Sequence, residues 1–317
     1  MRNIISRLIT VDLFIINVYN PIVENNTPKF SIILPAYNEE EAIGKVIDDI
    51  KLALDNSKYT DSYEIVVVDD CSSDKTVKIA LSKNVKVIER KINGGSGASR
   101  KTGILAAQGE IIIMLDADDT YTASDIPIML DYFPEYDQVN GARDSEQGTL
   151  KFLRLPMKLF LRKLASYLSK TKIPDLNTGL KAFKKEIMLK YMWVIPDGFS
   201  CVTTMTLAFL CNGHKVKYIP TKYKKRLGVS KFHPLKDTSK YLQTIIRIIL
   251  YFNPLKIFAS LSLVLFFSSI VVFLYSYFFR EKILDITILI LLITAIQVLS
   301  MGMIAELIVK SKSANNQ

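Results

Sequence analysis

Two long apolar segments near the carboxyl terminus constrain the fold of this chain more than any other feature. Residues 255–279 and 283–309 are each longer than the roughly 20 residues that an α-helix needs to cross a bilayer, and only three residues separate them. The pattern predicts a hairpin of two membrane-spanning helices within residues 254–317. Basic residues lie before the first segment and after the second, which predicts a multi-pass protein of the cell membrane with both chain ends in the cytoplasm.

The net positive charge is concentrated just before these segments. The formal net charge is +10, and residues 210–256 contain eleven Lys and Arg against one acid, Asp237, which accounts for all of it. Bases that lead directly into an apolar segment are typical of contact with anionic lipid head groups. We therefore predict membrane lipid, and no nucleic acid, as the partner of this stretch. An amphipathic helix over residues 235–253 is expected to lie in the bilayer interface.

The region before the basic stretch has the pattern of an α/β domain. Short β-rich runs alternate with helical stretches from residue 30 to about residue 141, and the runs are FSIILP, YEIVVVDD, VKVIER, EIIIMLDADD and YDQVNGAR. Continuous apolar strands separated by helices are typical of a parallel sheet that is covered on both faces. We predict an α/β fold with a mostly parallel sheet for residues 30–234. Residues 1–29 are expected to form a loose leader or a surface helix.

Three carboxylates follow one of these strands, in the segment LDADD at residues 115–119. Like charges this close repel each other unless a cation lies between them. Asp116 and Asp118 flank one residue at the predicted carboxyl end of a strand, where open α/β sheets bind ligands. Such a pair can share a hard divalent ion, Mg²⁺ or Mn²⁺. Acids after strands can also cap turns and helices, and this is our interpretation of Asp119.

Few residues are available for other chemistries. The sequence has two His and three Cys without CxxC spacing, which disfavours a zinc site, a redox motif and a Ser-His-Asp triad. The glycine-rich segment NGGSGASRKTG at residues 93–103 lacks the third glycine of a dinucleotide-binding loop. We interpret Gly94, Gly95 and Gly97 as a tight turn that leads into a helix.

The motifs together resemble the family 2 glycosyltransferases of the GT-A fold, over about residues 30–234. The motifs occur in the family order, and they are PAYNEE, VVDDCSSDKT, NGGSGASRKTG, LDADD, GAR and PDLNTGLKAFKK. Within that family the segment RLGVSKF at residues 226–232, followed by membrane spans, resembles the polyprenyl-phosphate sugar synthases of the dolichyl-phosphate mannose and glucose synthase type.

The resemblance implies a binding site for a nucleoside diphosphate sugar. Asp116 and Asp118 would hold a divalent metal, Mg²⁺ or Mn²⁺, and the donor diphosphate. Thr120 stands where close relatives can add a third metal ligand, and it is a weaker candidate. The residues that the resemblance places in the nucleotide-sugar pocket are Pro35, Tyr37, Asn38, Glu39, Val68, Asp70, Asp116, Ala117 and Asp118.

The acceptor side is predicted from the chemistry of a polyprenyl phosphate. A sugar hydroxyl needs a base to remove its proton, whereas a phosphate monoester is already largely ionised at pH 7 and needs positive charge. Asp175 stands where inverting members of the family place an acid, and it is either a base or a residue that orients an arginine. We predict Asp175 and Arg143 as catalytic residues. The predicted lipid-phosphate contacts are Arg143, Arg154, Arg226, Ser230 and Lys231.

We therefore predict a membrane-bound inverting transferase that moves a hexose from a nucleoside diphosphate sugar to a polyprenyl phosphate. The alternative enzyme would use a hydroxyl of a glycolipid or a lipid-linked oligosaccharide as acceptor, and Asp175 would then be an obligatory base. A rival of another class is a membrane scaffold that binds nucleotide sugars without turnover, which Asp118→Ala would distinguish. The sequence leaves the oligomeric state open and is compatible with a homo-oligomer.

Overall fold

The computed structural model of the chain consists of two compact units, Met1–Leu242 and Gln243–Gln317. It describes residues 16–19, 28–144, 162–167, 169–198, 200–224, 247, 250–280 and 284–315. Eight strands of the first unit form one sheet in the order β1-β4-β3-β2-β5-β7-β6-β8. The strands are β1 Ile16–Tyr19, β2 Phe30–Ala36, β3 Tyr63–Asp69, β4 Lys86–Arg90, β5 Ile111–Met114, β6 Gln138–Arg143, β7 Lys181–Lys184 and β8 Val216–Thr221.

Helices connect these strands in the described part of the first unit. They include α1 Ile43–Asp55, α2 Thr76–Ser82, α3 Ser96–Ala106, α4 Asp125–Leu130, α5 Lys185–Lys190 and α6 Cys201–Cys211, and residues 162–167 are also helical. The alternation of strand and helix from β2 to β6 follows the predicted pattern.

The central strands are apolar over their whole length because both faces of the sheet are covered. Ile32, Ile33 and Leu34 are consecutive residues of β2, and all three are fully buried. A strand with one face in water would instead alternate apolar and polar residues. The predicted α/β class is confirmed. The sheet is mixed, since four of its seven strand pairs are parallel.

The antiparallel pairs have two sources. β7 runs antiparallel to both of its neighbours, β5 and β6. At one edge of the sheet, β1 pairs antiparallel with β4, so this part of the leader is a strand and not a surface helix. The sequence of β1, INVY, contains two β-branched residues and an aromatic residue, which favour strands. It covers the free edge that β4 would otherwise expose.

Two long helices form the second unit. α7 spans Pro254–Phe279 and α8 spans Asp285–Asn315, and both are long and apolar enough to cross a membrane. They pack against each other through small residues, and the hydroxyl of Ser262 donates a hydrogen bond to the carbonyl oxygen of Ala295 at 2.8 Å. Of the predicted interface helix over residues 235–253, only 247 and 250–253 are among the described residues.

Gly109 allows the turn before β5 to lie directly against the start of β2. A β-carbon at Gly109 would lie 2.6 Å from the carbonyl carbon of Phe30 and 2.7 Å from the nitrogen of Ser31. We expect Gly109→Ala to lower the free energy of unfolding by about 1–3 kcal/mol, because the backbone of β2 must move. The measurement is the melting temperature of the purified full chain in detergent.

The matched control for this substitution is Gly198→Ala. A β-carbon at Gly198 would have no atom within 4 Å, so its melting temperature should stay close to that of the wild type. Equal melting temperatures for both variants would contradict the close approach at Gly109.

Candidate active site

The carboxyl ends of β2, β3 and β5 meet at one edge of the sheet. β2 lies between β3 and β5 and is parallel to both, with Ala36 in register with Asp69 and Ile33 in register with Met114. The polar segments that follow these strands therefore begin next to each other, as the sequence predicts. We call residues 35–40, 69–76 and 115–120 the carboxyl rim.

The first two segments of the carboxyl rim are hydrogen-bonded to each other. Asn38 has a left-handed backbone with a φ of 53°, and its N–H donates to the Ser72 hydroxyl at 2.8 Å. The Ser73 N–H donates to Asn38 Oδ1, also at 2.8 Å, and the Glu39 N–H donates to the Thr76 hydroxyl at 2.9 Å. Asn38 therefore holds the two loops together, which is a different use of its amide from contact with a nucleotide.

The predicted nucleotide-pocket residues differ in exposure. Pro35 and Glu39 are half-buried and Tyr37 is 38 % exposed, so all three present surface at the carboxyl rim. Val68 and Ala117 are buried in the core, and neither side chain lines the rim. Val68 lies in a strand that is covered on both faces, so neither face of that strand is open to a ligand.

Asp70 binds the glycine-rich turn instead of remaining open at the rim. Its carboxylate accepts hydrogen bonds from the N–H groups of Gly94 at 3.0 Å and Gly95 at 2.7 Å, and it forms an ion pair with Arg90 at 2.7 Å. Asp70 was predicted to lie near the base and ribose. The structure shows that its oxygens already accept hydrogen bonds from the protein.

The neighbouring Asp69 was not predicted and has an oxygen available. Asp69 is 2 % exposed, and its Oδ2 accepts a hydrogen bond from the Ser72 N–H at 2.9 Å. Its Oδ1 is buried and has no hydrogen-bond partner among the described residues. A buried carboxylate oxygen without a donor is costly, so Asp69 is the better candidate for a contact with a ligand hydroxyl or N–H. The sequence placed two aspartates here without indicating which one pairs internally.

The glycine-rich turn is a structural element and not an anion cradle. The carbonyl oxygen of Asp197 accepts hydrogen bonds from the N–H groups of Gly97 at 2.7 Å and Ala98 at 3.0 Å. These N–H groups begin α3, where an unpaired helix start could bind phosphate. Gly95 has a φ of +89°, which other residues rarely adopt. The geometry agrees with the interpretation of this segment as a tight turn into a helix.

Asp116 forms an ion pair with Arg100 of α3, a residue that sequence reasoning missed. The Arg100 side chain is 5 % exposed and that of Asp116 is 34 % exposed, so the carboxylate lies at the surface of the site with a buried base behind it. Arg100 stands inside a helix with Lys101 next to it, so its residue type alone does not distinguish it from a surface base. The buried pair fixes the position of Asp116.

Asp118 is held by the residue two positions later. Its Oδ1 accepts a hydrogen bond from the Thr120 hydroxyl at 2.6 Å and from the Thr120 N–H at 3.3 Å. Thr120 is fully buried, so its hydroxyl orients Asp118. Asp119 has a φ of 58° and forms ion pairs with Lys45 at 2.5 Å and Lys224 at 3.4 Å. Asp119 anchors the loop, in agreement with its interpretation as a turn residue.

Arg143 and Asp175 form a two-pronged ion pair. Arg143 Nε donates to Asp175 Oδ2 at 2.7 Å and its second terminal nitrogen donates to Oδ1 at 2.9 Å. Burial alone would raise the pKa of Asp175, but the hydrogen bonds and charge of Arg143, together with the N–H of Asn177, lower this pKa below its ordinary value. A carboxylate with a lowered pKa is a poor base. The geometry favours a residue that orients an arginine.

Tyr121 connects the loop at residues 115–120 with the loop that contains Asp175. Its hydroxyl oxygen accepts a hydrogen bond from the Gly179 N–H at 2.7 Å, and its ring packs edge-to-face on Tyr223 at 5.2 Å. The guanidinium of Arg143 lies 5.2 Å from the centre of the same Tyr223 ring. Burial, with a smaller effect of Asp116, raises the pKa of Tyr121, so it stays protonated at neutral pH. The two halves of the site are thereby joined through aromatic side chains.

The remaining predicted acceptor contacts lie outside the described residues. They are Arg154, Arg226, Ser230 and Lys231. In the part of the chain that the structure describes, no group of three or more His, Cys, Asp and Glu could hold a metal ion. A metal at Asp116 and Asp118 would therefore need ligands from water or substrate.

The chain belongs to glycosyl transferase family 2. The model of this family matches residues 31–192, which contain the carboxyl rim, Arg143 and Asp175. A second model, described as the GtrB C-terminal hairpin, matches residues 253–310. The match covers α7 and α8 up to residue 310 and indicates that the protein associates with membranes.

Two curated relatives and the fold of one solved structure are similar to this chain. The chain is 29 % identical to a dolichyl-phosphate hexose transferase of Haloferax volcanii, over 69 % of this chain and 93 % of the relative. It is 30 % identical to glycosyltransferase AglJ of the same organism, over 72 % of this chain and 75 % of the relative. Its fold is similar to that of glucosyl-3-phosphoglycerate synthase from Mycobacterium tuberculosis, solved with Mn²⁺, UDP and phosphoglyceric acid, with a TM-score of 0.54 at 18 % identity over 77 % of this chain and 81 % of that chain.

The Arg143–Asp175 pair predicts non-additive stability. Arg143→Met or Asp175→Asn should each lower the free energy of unfolding by about 3 kcal/mol, because the remaining side chain is left buried without its counterion. The double variant should lose less than the sum of the two single losses. The contribution of Asp175 is complete above the ordinary carboxyl pKa of 3.8 and is lost as the pH falls through the lowered value in the folded state. Denaturation of the four proteins at pH 7, and of the wild type and Asp175→Asn over a pH series that extends below 3.8, measures both effects.

The matched control is the surface pair Lys58 and Asp131. Its side chains are 70 % and 53 % exposed, so Lys58→Met and Asp131→Asn should each leave the stability close to that of the wild type. Additive losses at residues 143 and 175 would show that the two side chains do not act as a pair.

Proposed function

We propose that this glycosyltransferase transfers a hexose from a nucleoside diphosphate sugar to a polyprenyl phosphate of the dolichyl type, with inversion at the anomeric carbon. The observation that supports this acceptor is the ion pair between Asp175 and Arg143. A hydroxyl acceptor needs a base, and the carboxylate in the expected place is paired with Arg143 and has a lowered pKa. A phosphate acceptor needs no base and needs a cation, which Arg143 supplies. The name of the Haloferax volcanii relative, a dolichyl-phosphate hexose transferase, supports the same acceptor.

The proposed reaction is a single displacement. An oxygen of the lipid phosphate attacks the anomeric carbon from the side opposite the donor diphosphate. The new bond forms as the bond to the leaving diphosphate breaks, so the configuration inverts. Arg143 orients the attacking phosphate, and Asp175 fixes the plane of the Arg143 guanidinium through two hydrogen bonds. Positioning of this kind replaces a rare encounter with a bound geometry.

A divalent metal fits the carboxylates of Asp116 and Asp118. Both are hard oxygen donors two residues apart at the carboxyl end of β5, and Mg²⁺ in proteins is commonly held by one or two carboxylates plus substrate phosphates. When bound, such an ion would neutralise charge on the leaving nucleoside diphosphate. The buried Arg100 behind Asp116 and the hydroxyl of Thr120 on Asp118 would hold the two carboxylates in place. The solved structure with Mn²⁺ and UDP supports the pairing of metal and nucleotide.

The donor would lie along the carboxyl rim. Pro35, Tyr37 and Glu39 present surface there, and the unpartnered oxygen of Asp69 could accept a hydrogen bond from the nucleoside. The proposal for the lipid phosphate also retains the predicted contacts Arg154, Arg226, Ser230 and Lys231.

The second unit would keep the enzyme at the bilayer that contains its acceptor. We propose that α7 and α8 span the membrane and that both ends of the hairpin face the cytoplasm. The support for this orientation is the basic stretch before α7 and the lysines after residue 309, which follow the positive-inside rule. The anionic head groups of the cytoplasmic leaflet would attract the same bases.

The proposed function predicts a lipid-soluble and acid-labile product. Membranes that contain the protein are incubated with polyprenyl phosphate and a panel of labelled nucleotide sugars, with Mg²⁺, Mn²⁺ or EDTA. We expect label to pass into organic solvent with one donor only, to require the metal, and to be released by mild acid. Asp118→Asn should lower transfer at least about 100-fold, whereas Asp48→Asn on α1, which pairs with Lys83, should retain it.

The outcomes separate the alternatives. Label that enters the lipid but resists mild acid would identify a hydroxyl acceptor and contradict the phosphate proposal. Binding of a nucleotide sugar without any extracted label would identify a scaffold.

We expect the hydroxyl of Thr120 to strengthen metal binding at Asp118. Thr120→Val removes the hydroxyl that orients Asp118 and keeps the shape of the side chain. Because outer partners of metal ligands contribute about 10–100-fold to affinity, the metal concentration for half-maximal transfer should rise by at least about tenfold. Metal titrations of transfer by the wild type and the variant measure this effect.

The matched control is Thr122→Val, two residues along the same loop. The Thr122 hydroxyl is buried and has no hydrogen-bond partner among the described residues, so its removal should leave the metal titration unchanged. If Thr120→Val gives the wild-type titration, the hydroxyl does not support a metal ligand.

A further inference from the structure

Lys181 is a buried cation that none of the steps above uses. It is the first residue of β7, has no exposed surface and is one of the largest fully buried side chains described. Its ammonium donates hydrogen bonds to the Thr206 hydroxyl at 2.6 Å and to Asn140 Oδ1 at 3.3 Å. In the described part of the chain no carboxylate forms an ion pair with it. A buried charge without a counterion is costly, and an apolar residue at this position would avoid that cost.

The contacts of Lys181 lead to the acceptor side of the site by two routes. Through α6, Thr206 lies one helical turn from Thr203, whose hydroxyl donates to Asn177 Oδ1. The Asn177 N–H in turn donates to Asp175 Oδ1 at 3.0 Å. Through β6, Asn140 lies three residues before Arg143 on the same strand. Lys181 therefore connects the helix that supports Asp175 with the strand that bears Arg143.

We propose that Lys181 is a positioning residue for the acceptor phosphate. Its ammonium ties α6 to β6, and its charge favours an anion bound at Arg143. The inference rests on the proposed function, because it assumes that the acceptor is a phosphate held by Arg143. The same arrangement offers no advantage to an acceptor hydroxyl.

Burial, together with the charges around Lys181, places its titration near neutral pH. Burial lowers its pKa to about 7, against an opposing effect of Asp175 and Cys201, while Arg100 and Arg143 lower it further. Across β6, the phenol of Tyr218 has its pKa raised by burial and stays neutral. Both forms of Lys181 are therefore populated at pH 7. A phosphate bound at Arg143 favours the protonated form, so binding of the acceptor should take up a proton and should weaken as the pH rises through 7.

The test is the Michaelis constant for polyprenyl phosphate as a function of pH, in wild type and in Lys181→Met. In the wild type this constant should rise as the pH increases through 7. In the variant it should be raised by about tenfold at pH 6.5, the effect of one pKa unit of lost interaction, and the rise near pH 7 should be absent. The Michaelis constant for the donor should change less than about twofold. The melting temperature should change little, because the variant loses the two hydrogen bonds of the ammonium together with the desolvation cost of the buried charge.

Two further variants complete the experiment. Burial lowers the pKa of His214, and its ring is hydrogen-bonded to Tyr191 and not to the acceptor side, so His214→Gln should keep the wild-type pH profile. Thr206→Val removes the shorter hydrogen bond of the ammonium and should move the rise in the acceptor constant to lower pH. It provides the decisive measurement if Lys181→Met does not fold.

The outcomes distinguish this inference from the proposed function. If the wild type transfers no sugar to polyprenyl phosphate, the proposed function fails. If the wild type is active and Lys181→Met, or in its place Thr206→Val, keeps the wild-type acceptor constant at every pH, the positioning role is wrong. Equal losses in acceptor and donor constants together with a lower melting temperature would show that Lys181 is only structural, and would also overturn the inference.

Discussion

Repulsion between carboxylates at the ends of neighbouring strands is the constraint on which this site depends. Several acids of the site have a base of the protein beside them. Asp70 pairs with Arg90, Asp116 with Arg100, Asp119 with Lys45 and Lys224, and Asp175 with Arg143. These bases come from different elements, so neutralising the acids also ties strands, helices and loops together. The ion pairs that these acids form therefore also stabilise the fold.

The same pairs assign different uses to acids that look alike in the sequence. Asp70 and Asp119 are bound by backbone N–H groups or lysines and hold loops in place. Asp116 keeps a third of its side chain exposed beside a buried arginine. Both oxygens of Asp175 accept hydrogen bonds from the guanidinium of Arg143, so Asp175 is suited to orienting that cation. The proposed acceptor follows from this last distinction, since a phosphate requires a cation and a hydroxyl requires a base.

The sequence predicted the architecture well because burial on both faces leaves a simple signal. Consecutive apolar residues marked β2, β3 and β5, and their shared direction placed the polar segments at one rim. The sequence could not predict side-chain direction, and the side chains of Val68 and Ala117, which were predicted to lie at the nucleotide, are both buried. It also could not predict Arg100 and Lys181, because a base in a helix or a short strand looks like a surface residue until the neighbouring elements cover it. The sequence also could not show which of Asp69 and Asp70 binds the glycine-rich turn and which keeps an oxygen for a ligand.

The carbonyl oxygen of Asp197 caps α3 by accepting hydrogen bonds from Gly97 and Ala98, and this cap limits how residues 196–198 can vary. The main-chain carbonyl of residue 197 accepts hydrogen bonds from the first N–H groups of the helix, so the type of side chain there matters little to the cap. The length of the connection does matter, because one inserted or deleted residue between the short helical turn at Met192–Val194 and α6 would carry that oxygen away. Exchange of this loop between related transferases should therefore tolerate changes of composition far better than changes of length.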